Sequence, residues 1–107
     1  MYRLGLEMRG LQVSIFLDST SFFDSIETSL PDLVVLDWML GLTNGGEVLE
    51  RLRYQPRTMA LPVIVLSNLS RRDFASEIST LGPVEWLEKL STHPLALADR
   101  IRNLIEP

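Results

Sequence analysis

The sequence contains no cysteine and a single histidine. Disulfide frameworks, thiolate metal sites and thiol nucleophiles are therefore excluded, and the lack of cysteine suits a reducing cytoplasm. No apolar run approaches the ~18 residues of a membrane span. The first residues, "MYRLGLEMRG", do not follow the basic-then-apolar pattern of a signal peptide. Basic residues are the minority, 10 Lys and Arg against 14 Asp and Glu, for a net charge of −4. That balance argues against a nucleic-acid surface. Low-complexity tracts, internal repeats and linkers are missing as well. What is present is ordinary for a globular chain: 107 residues, 46% hydrophobic and 22% charged. This is enough for one core and one domain over residues 1–107, expected to be soluble and cytoplasmic.

Hydrophobic periodicity organises the chain. "LQVSIFLD" (Leu11–Asp18) alternates Val13, Ile15 and Leu17 and predicts a strand. "STSFFDSIETSL" predicts a short helix with Ser21 and Asp24 spaced as a capping box. Pro31 separates it from the apolar strand "LVVL", and "GLTNGG" (Gly41–Gly46) reads as a loop. "EVLERLRYQ" predicts a helix burying Val48, Leu49 and Leu52, and "LPVIVLS" (Leu61–Ser67) a second apolar strand. "SRRDFASEISTLG" predicts a helix opened by Ser70 and Asp73 and stopped at Gly82-Pro83. "VEWLEK" follows as a strand, and "PLALADRIRNLIE" as a closing helix with Leu95, Ala98, Ile101 and Ile105 facing inward. The first ten residues fit either a helix or a strand turning at Arg9-Gly10. Strands alternating with helices, two of them apolar on both faces, imply an α/β fold with a parallel sheet covered on both sides.

In such a sheet, chemistry collects beyond the carboxyl ends of the strands. Three strands end there in polar groups: Asp37, Ser67 and Lys89. A carboxylate can attack a phosphoryl group, a hydroxyl can hydrogen-bond its oxygens, and an ammonium can neutralise its charge. Taken singly, each residue reads equally well as a cap, a turn residue or a solvated strand end; the combination carries the specificity. His93, just before Pro94, reads as a turn residue at a helix start rather than a phosphotransfer group.

The runs "PDLVVLDWMLGLTNGGEVLERLR", "LPVIVLSN" and "VEWLEKL", with Ser67 and Lys89 in register behind Asp37, resemble the receiver domain of two-component response regulators. The resemblance spans nearly the whole chain and includes Gly45. It implies a flavodoxin-like three-layer α/β/α fold and a signalling domain rather than an enzyme. Asp37 would be the phosphoacceptor for a histidine kinase, Ser67 the switch hydroxyl and Lys89 the cation that contacts the phosphoryl group. Trp86 would be the switching aromatic; its other reading is a half-buried strand residue. A Mg²⁺ ion would take Asp37 and the Met39 backbone carbonyl. A docking or dimerisation face is expected around Arg71, Arg72, Asp99, Arg100 and Arg102, whose other reading is an ordinary solvated surface; a downstream protein partner is expected, with no nucleic acid or membrane contacted.

The sequence also departs from the family. In register, Met1 falls inside the family's first helix, so the first, central strand and its Mg²⁺-binding acidic pair are absent. Metal binding is expected to be weakened or lost. Three consequences are open: a truncated start, closure of Leu11–Asp18 onto the next strand with Tyr2–Met8 recruited as a strand, or a homodimer that exchanges elements. With Pro107 ending the chain, output is expected through contact with another protein. Gly41 and Leu90 replace family prolines, and a trans Lys89–Leu90 bond is expected because a cis one would cost about 2.5–4 kcal/mol. A pseudo-receiver, acting as a phosphorylation-independent interaction or dimerisation module, is the alternative function.

Overall fold

The computed structural model describes residues 2–37, 45–67, 84–88 and 91–105. These form α1 (Tyr2–Met8), α2 (Ser19–Thr28), β1 (Val34–Asp37), α3 (Gly45–Arg53), β2 (Val63–Ser67), β3 (Val84–Glu88) and α4 (Pro94–Ile105). The three strands make one parallel sheet in the order β1-β2-β3. The helix expected from Ser70, its Ser70–Asp73 cap and the Lys89–Leu90 bond lie outside the described residues.

β2 is central, and all five of its residues are buried. Its side chains alternate between two cores, as a period of two requires. Val63 and Val65 join Phe23 and Ile26 of α2 and Val48, Leu49 and Leu52 of α3. Ile64 and Leu66 join Leu6 of α1 and Leu97, Ala98 and Ile101 of α4. The two clusters place α2 and α3 on one face and α1 and α4 on the other, which gives the expected three layers.

Tyr2–Met8 is a helix, so the strand reading of this segment is corrected. Its C-terminus explains why. Gly10 takes φ +84°, and the Gly10 and Leu11 amides donate to the carbonyls of Glu7 and Leu6 at 3.0 and 3.2 Å. This is a Schellman cap, for which a glycine in the left-handed region is the preferred residue. Leu11 then packs beside Leu6 in the same cluster.

The strand expected at Leu11–Asp18 is also corrected. Residues 11–16 form no sheet ladder, although Leu11 and Val13 pack against the α1/α4 core. The apolar alternation records which side chains face inward, but a strand also needs a partner, and β1 pairs among the described strands only with β2. Ile15 and Leu17 are left exposed.

The α2 cap shifts too. Asp18, not Ser21, is the N-cap: its carboxylate accepts from the Ser21 amide at 2.8 Å and from the Ser21 hydroxyl at 3.1 Å. The expected Ser21–Asp24 box is therefore displaced by one three-residue step. An ionised side chain at the N-cap is favoured by the orphan amides and the helix dipole. At the other end of α2, the Arg57 guanidinium donates to the carbonyls of Ile26 and Glu27. The buried Thr58 hydroxyl donates to the Leu52 carbonyl at 2.6 Å, closing α3. Arg53 donates to the Thr58 and Met59 carbonyls, and partial burial lowers its pKa.

Candidate functional site

Two parallel ladders set the site. β1 pairs Val34, Val35, Leu36 and Asp37 with Val63, Ile64, Val65 and Leu66. β2 pairs Ser67 with Glu88 of β3. Asp37 and Ser67 therefore each end their strand, on neighbouring strands, one register step apart. The chain direction makes this the carboxyl edge of the sheet, where an open α/β sheet gathers its ligands. Gly45 opens α3.

Ser67 is fully buried. No buried side-chain nitrogen or oxygen among the described residues lacks a hydrogen-bond partner, so its hydroxyl is integrated rather than stranded. Trp86 is 9% exposed and belongs to the α2/α3 core. It is thus a packed residue two before the end of β3. Lys89, Met39, Arg71 and Arg72 lie outside the described residues, and for Asp37 the structure gives the backbone position.

The remaining residues of the expected docking face have separate neighbours. Arg100 Nε donates to both carboxylate oxygens of Glu85 at 2.7 Å. That hydrogen bond, and the carboxylate charge after it, raise the Arg100 pKa. Arg102 donates to the Arg9 carbonyl, and Asp99 lies 3.8 Å from Arg9 Nε. Arg100 thus ties α4 to β3, whereas Asp99 and Arg102 tie it to the turn after α1.

A feature missed in sequence is the junction behind β3. The Thr92 hydroxyl donates to the Glu88 carbonyl at 2.7 Å, and the Tyr2 hydroxyl donates to the Thr92 carbonyl at 3.2 Å. Gly5 packs directly against Pro94. The cluster Ser91-Thr92-His93-Pro94 signals a helix start in sequence, but nothing there indicates that α1 docks on it.

Among the described residues no group of three or more His, Asp or Glu side chains could hold a metal. Asp37 and the Met39 carbonyl would supply hard oxygen donors, but Mg²⁺ keeps near-octahedral coordination and needs further ligands.

Comparison with known proteins matches this architecture. The model of the response regulator receiver domain fits residues 1–102. The chain therefore belongs to the receiver-domain family of two-component signalling. It is 39% identical over 67 residues to the phosphate regulon transcriptional regulatory protein PhoB of Rhizobium meliloti (strain 1021), covering 63% of this chain and 30% of that one. The PhoB of Pseudomonas aeruginosa is 29% identical over 105 residues, covering 98% and 45%. The chain spans less than half the length of these curated relatives. Among solved structures, the signal receiver domain of a signal transduction histidine kinase from Syntrophus aciditrophicus superposes with a TM-score of 0.81. It is 22% identical and covered over 96% of this chain and 77% of that one. This last likeness supports the fold, which is flavodoxin-like. No helix among the described residues is long and apolar enough to cross a membrane.

Proposed function

We propose that this receiver domain accepts a phosphoryl group on Asp37 from the phosphohistidine of a histidine kinase. The observation that supports this reading is the register that ends β1 at Asp37 and β2 at Ser67, side by side. In the transfer, a carboxylate oxygen of Asp37 attacks phosphorus. The phosphorus–nitrogen bond breaks, and the departing imidazole takes a proton from solvent. Lys89 neutralises the growing charge and the Ser67 hydroxyl donates to a phosphoryl oxygen. The product carries about −1.5 to −2 additional charge at a strand tip. Because Ser67 is buried, its movement toward that charge must disturb core packing around β2 and β3. Trp86, in the same core, then reports or transmits the change to a surface that a downstream protein reads. By this reading the domain works in the cytoplasm and is a switch, not an enzyme with a separate substrate.

A second reading is a pseudo-receiver that binds partners without being phosphorylated. Acetyl phosphate with Mg²⁺, followed by intact-mass measurement, separates the two. A gain of about 80 Da, one added HPO₃ group, that disappears in Asp37→Asn supports phosphorylation at this residue. No gain in a protein with native circular dichroism supports the pseudo-receiver. Repeating the reaction in EDTA tests whether a divalent cation contributes.

A further inference from the structure

We propose that Tyr2 and Thr92 are positioning residues for the strand-tip site: they fix the carboxyl end of β3 beside Ser67, where the chain continues into Lys89. This inference rests on the reading of Asp37 as a phosphoacceptor with Lys89 as its cation, and it extends that site to α1. Two hydrogen bonds carry it. The Thr92 hydroxyl donates to the Glu88 carbonyl at 2.7 Å, and the Tyr2 hydroxyl donates to the Thr92 carbonyl at 3.2 Å. Glu88 is the ladder partner of the buried Ser67, so α1 is connected through Thr92 to the residue beside that serine. The Ser91 hydroxyl donates to the same Glu88 carbonyl at a longer 3.4 Å. Lys89 follows Glu88 in the chain, and consecutive Cα atoms stand about 3.8 Å apart. Holding Glu88 and Thr92 therefore bounds where the lysine backbone can lie.

Further contacts keep the junction in place. Gly5 admits Pro94 so closely that a Cβ at residue 5 would come within 2.6 Å of the proline Cβ, which seats the start of α4 on α1. At the other end of α1, the Arg102 guanidinium donates to the Arg9 carbonyl, and Arg9 Nε lies 3.8 Å from Asp99. α1 is thus fastened to α4 at both ends, and its Tyr2 end is the one that adjoins the carboxyl edge of the sheet. A lysine is a point charge on a flexible four-carbon stem, so its effect on a phosphoryl group depends on how well its backbone is held. Tyr2 and Thr92 act through the end of β3, not on the phosphoryl group itself.

Lys89 is the only lysine in the sequence, which gives the test a single-site probe. Reductive methylation with carbon-13 formaldehyde labels its amine and the α-amine, and Lys89→Arg identifies the Lys89 signal. In the wild type, Asp37→Asn should shift that signal, because it removes a neighbouring charge. The shift should shrink by about half or more in Tyr2→Phe and in Thr92→Val, each of which deletes one hydroxyl, and return in Thr92→Ser. Phosphorylation by acetyl phosphate should slow roughly five- to tenfold in both hydroxyl-deletion variants, about the value of one hydrogen bond. A wild type that takes up no phosphoryl group defeats the phosphoacceptor reading, and the Lys89 signal then decides the positioning role by itself. An unchanged response to Asp37→Asn in both variants overturns the proposal. So does a lower urea midpoint with the response intact, which marks the junction as structural only. A Lys89 signal that ignores Asp37→Asn in the wild type overturns it as well.

Discussion

Gly5 offers a test in which two known effects oppose each other. In a helix interior, replacing glycine by alanine ordinarily stabilises by about 1 kcal/mol, because the glycine backbone loses more freedom on folding. At Gly5 a Cβ would lie 2.6 Å from the Cβ of Pro94 and 3.4 and 3.5 Å from its carbonyl carbon and Cα. Carbon atoms rest at about 3.5–4.0 Å, so α1 would have to retreat by about 1 Å from a rigid proline ring. Such overpacking costs about 1–3 kcal/mol. We expect Gly5→Ala to lose about 1 kcal/mol net, propensity included. The short helix α1 would also strain the Tyr2–Thr92 hydrogen bond. Urea unfolding at constant slope measures the change. A double-mutant cycle with Pro94→Gly isolates its origin, since without the proline Cβ the remaining distances are ordinary contacts. The cycle should return a favourable coupling of at least about 1 kcal/mol. Stabilisation by Gly5→Ala alone, or additivity within about 0.5 kcal/mol, would refute the close approach of α1 to α4.

Leu52 is fully buried between α3 and the sheet, so Leu52→Ala should cost about 2–5 kcal/mol in chemical denaturation, against less than about 0.5 kcal/mol for Leu4→Ala on the exposed face of α1. Because β1 is an edge of the sheet among the described strands and Ile15 and Leu17 are exposed, we also expect weak self-association; sedimentation coefficients should rise with protein concentration, less so in Ile15→Lys, and concentration-independent monomer behaviour would count against it.

Periodicity made much of the fold readable, because it reports burial. "VIVLS" is apolar on both faces, and β2 proves buried on both faces. Val48, Leu49 and Leu52 lie where a helical stripe requires, as do Ala98 and Ile101. Leu97 is fully buried although it was not among the expected inward positions, because α4 packs a wider face than one stripe. The failures concern partners rather than burial. Leu11–Asp18 shows the alternation of a strand, and its first half does pack inward, yet alternation says nothing about a neighbouring ladder. The cap of α2 moved to Asp18 because an aspartate ending an apparent strand and one opening a helix look alike in sequence. His93 reads as a turn residue, but only coordinates reveal that its ring nitrogen accepts from Leu95.

The same physics explains why the strand-tip pair was legible at a distance of thirty residues. Neither Asp37 nor Ser67 needs to attract the other. Their adjacency follows from the Val34–Val63, Val35–Ile64 and Leu36–Val65 pairs behind them, whose apolar side chains fill both cores. A slip of one residue would turn every β1 side chain to the opposite face and carry Asp37 to a different step beside β2. Buried Val34, and Leu36 packed against the same α2/α3 core, oppose that slip at roughly 1.5–3 kcal/mol for each large apolar side chain that would lose its place. The hydrophobic core therefore holds the register of the two polar residues. A variant that exchanges Asp37 or Ser67 for a residue of similar size should leave the sheet intact and change only the chemistry at its edge.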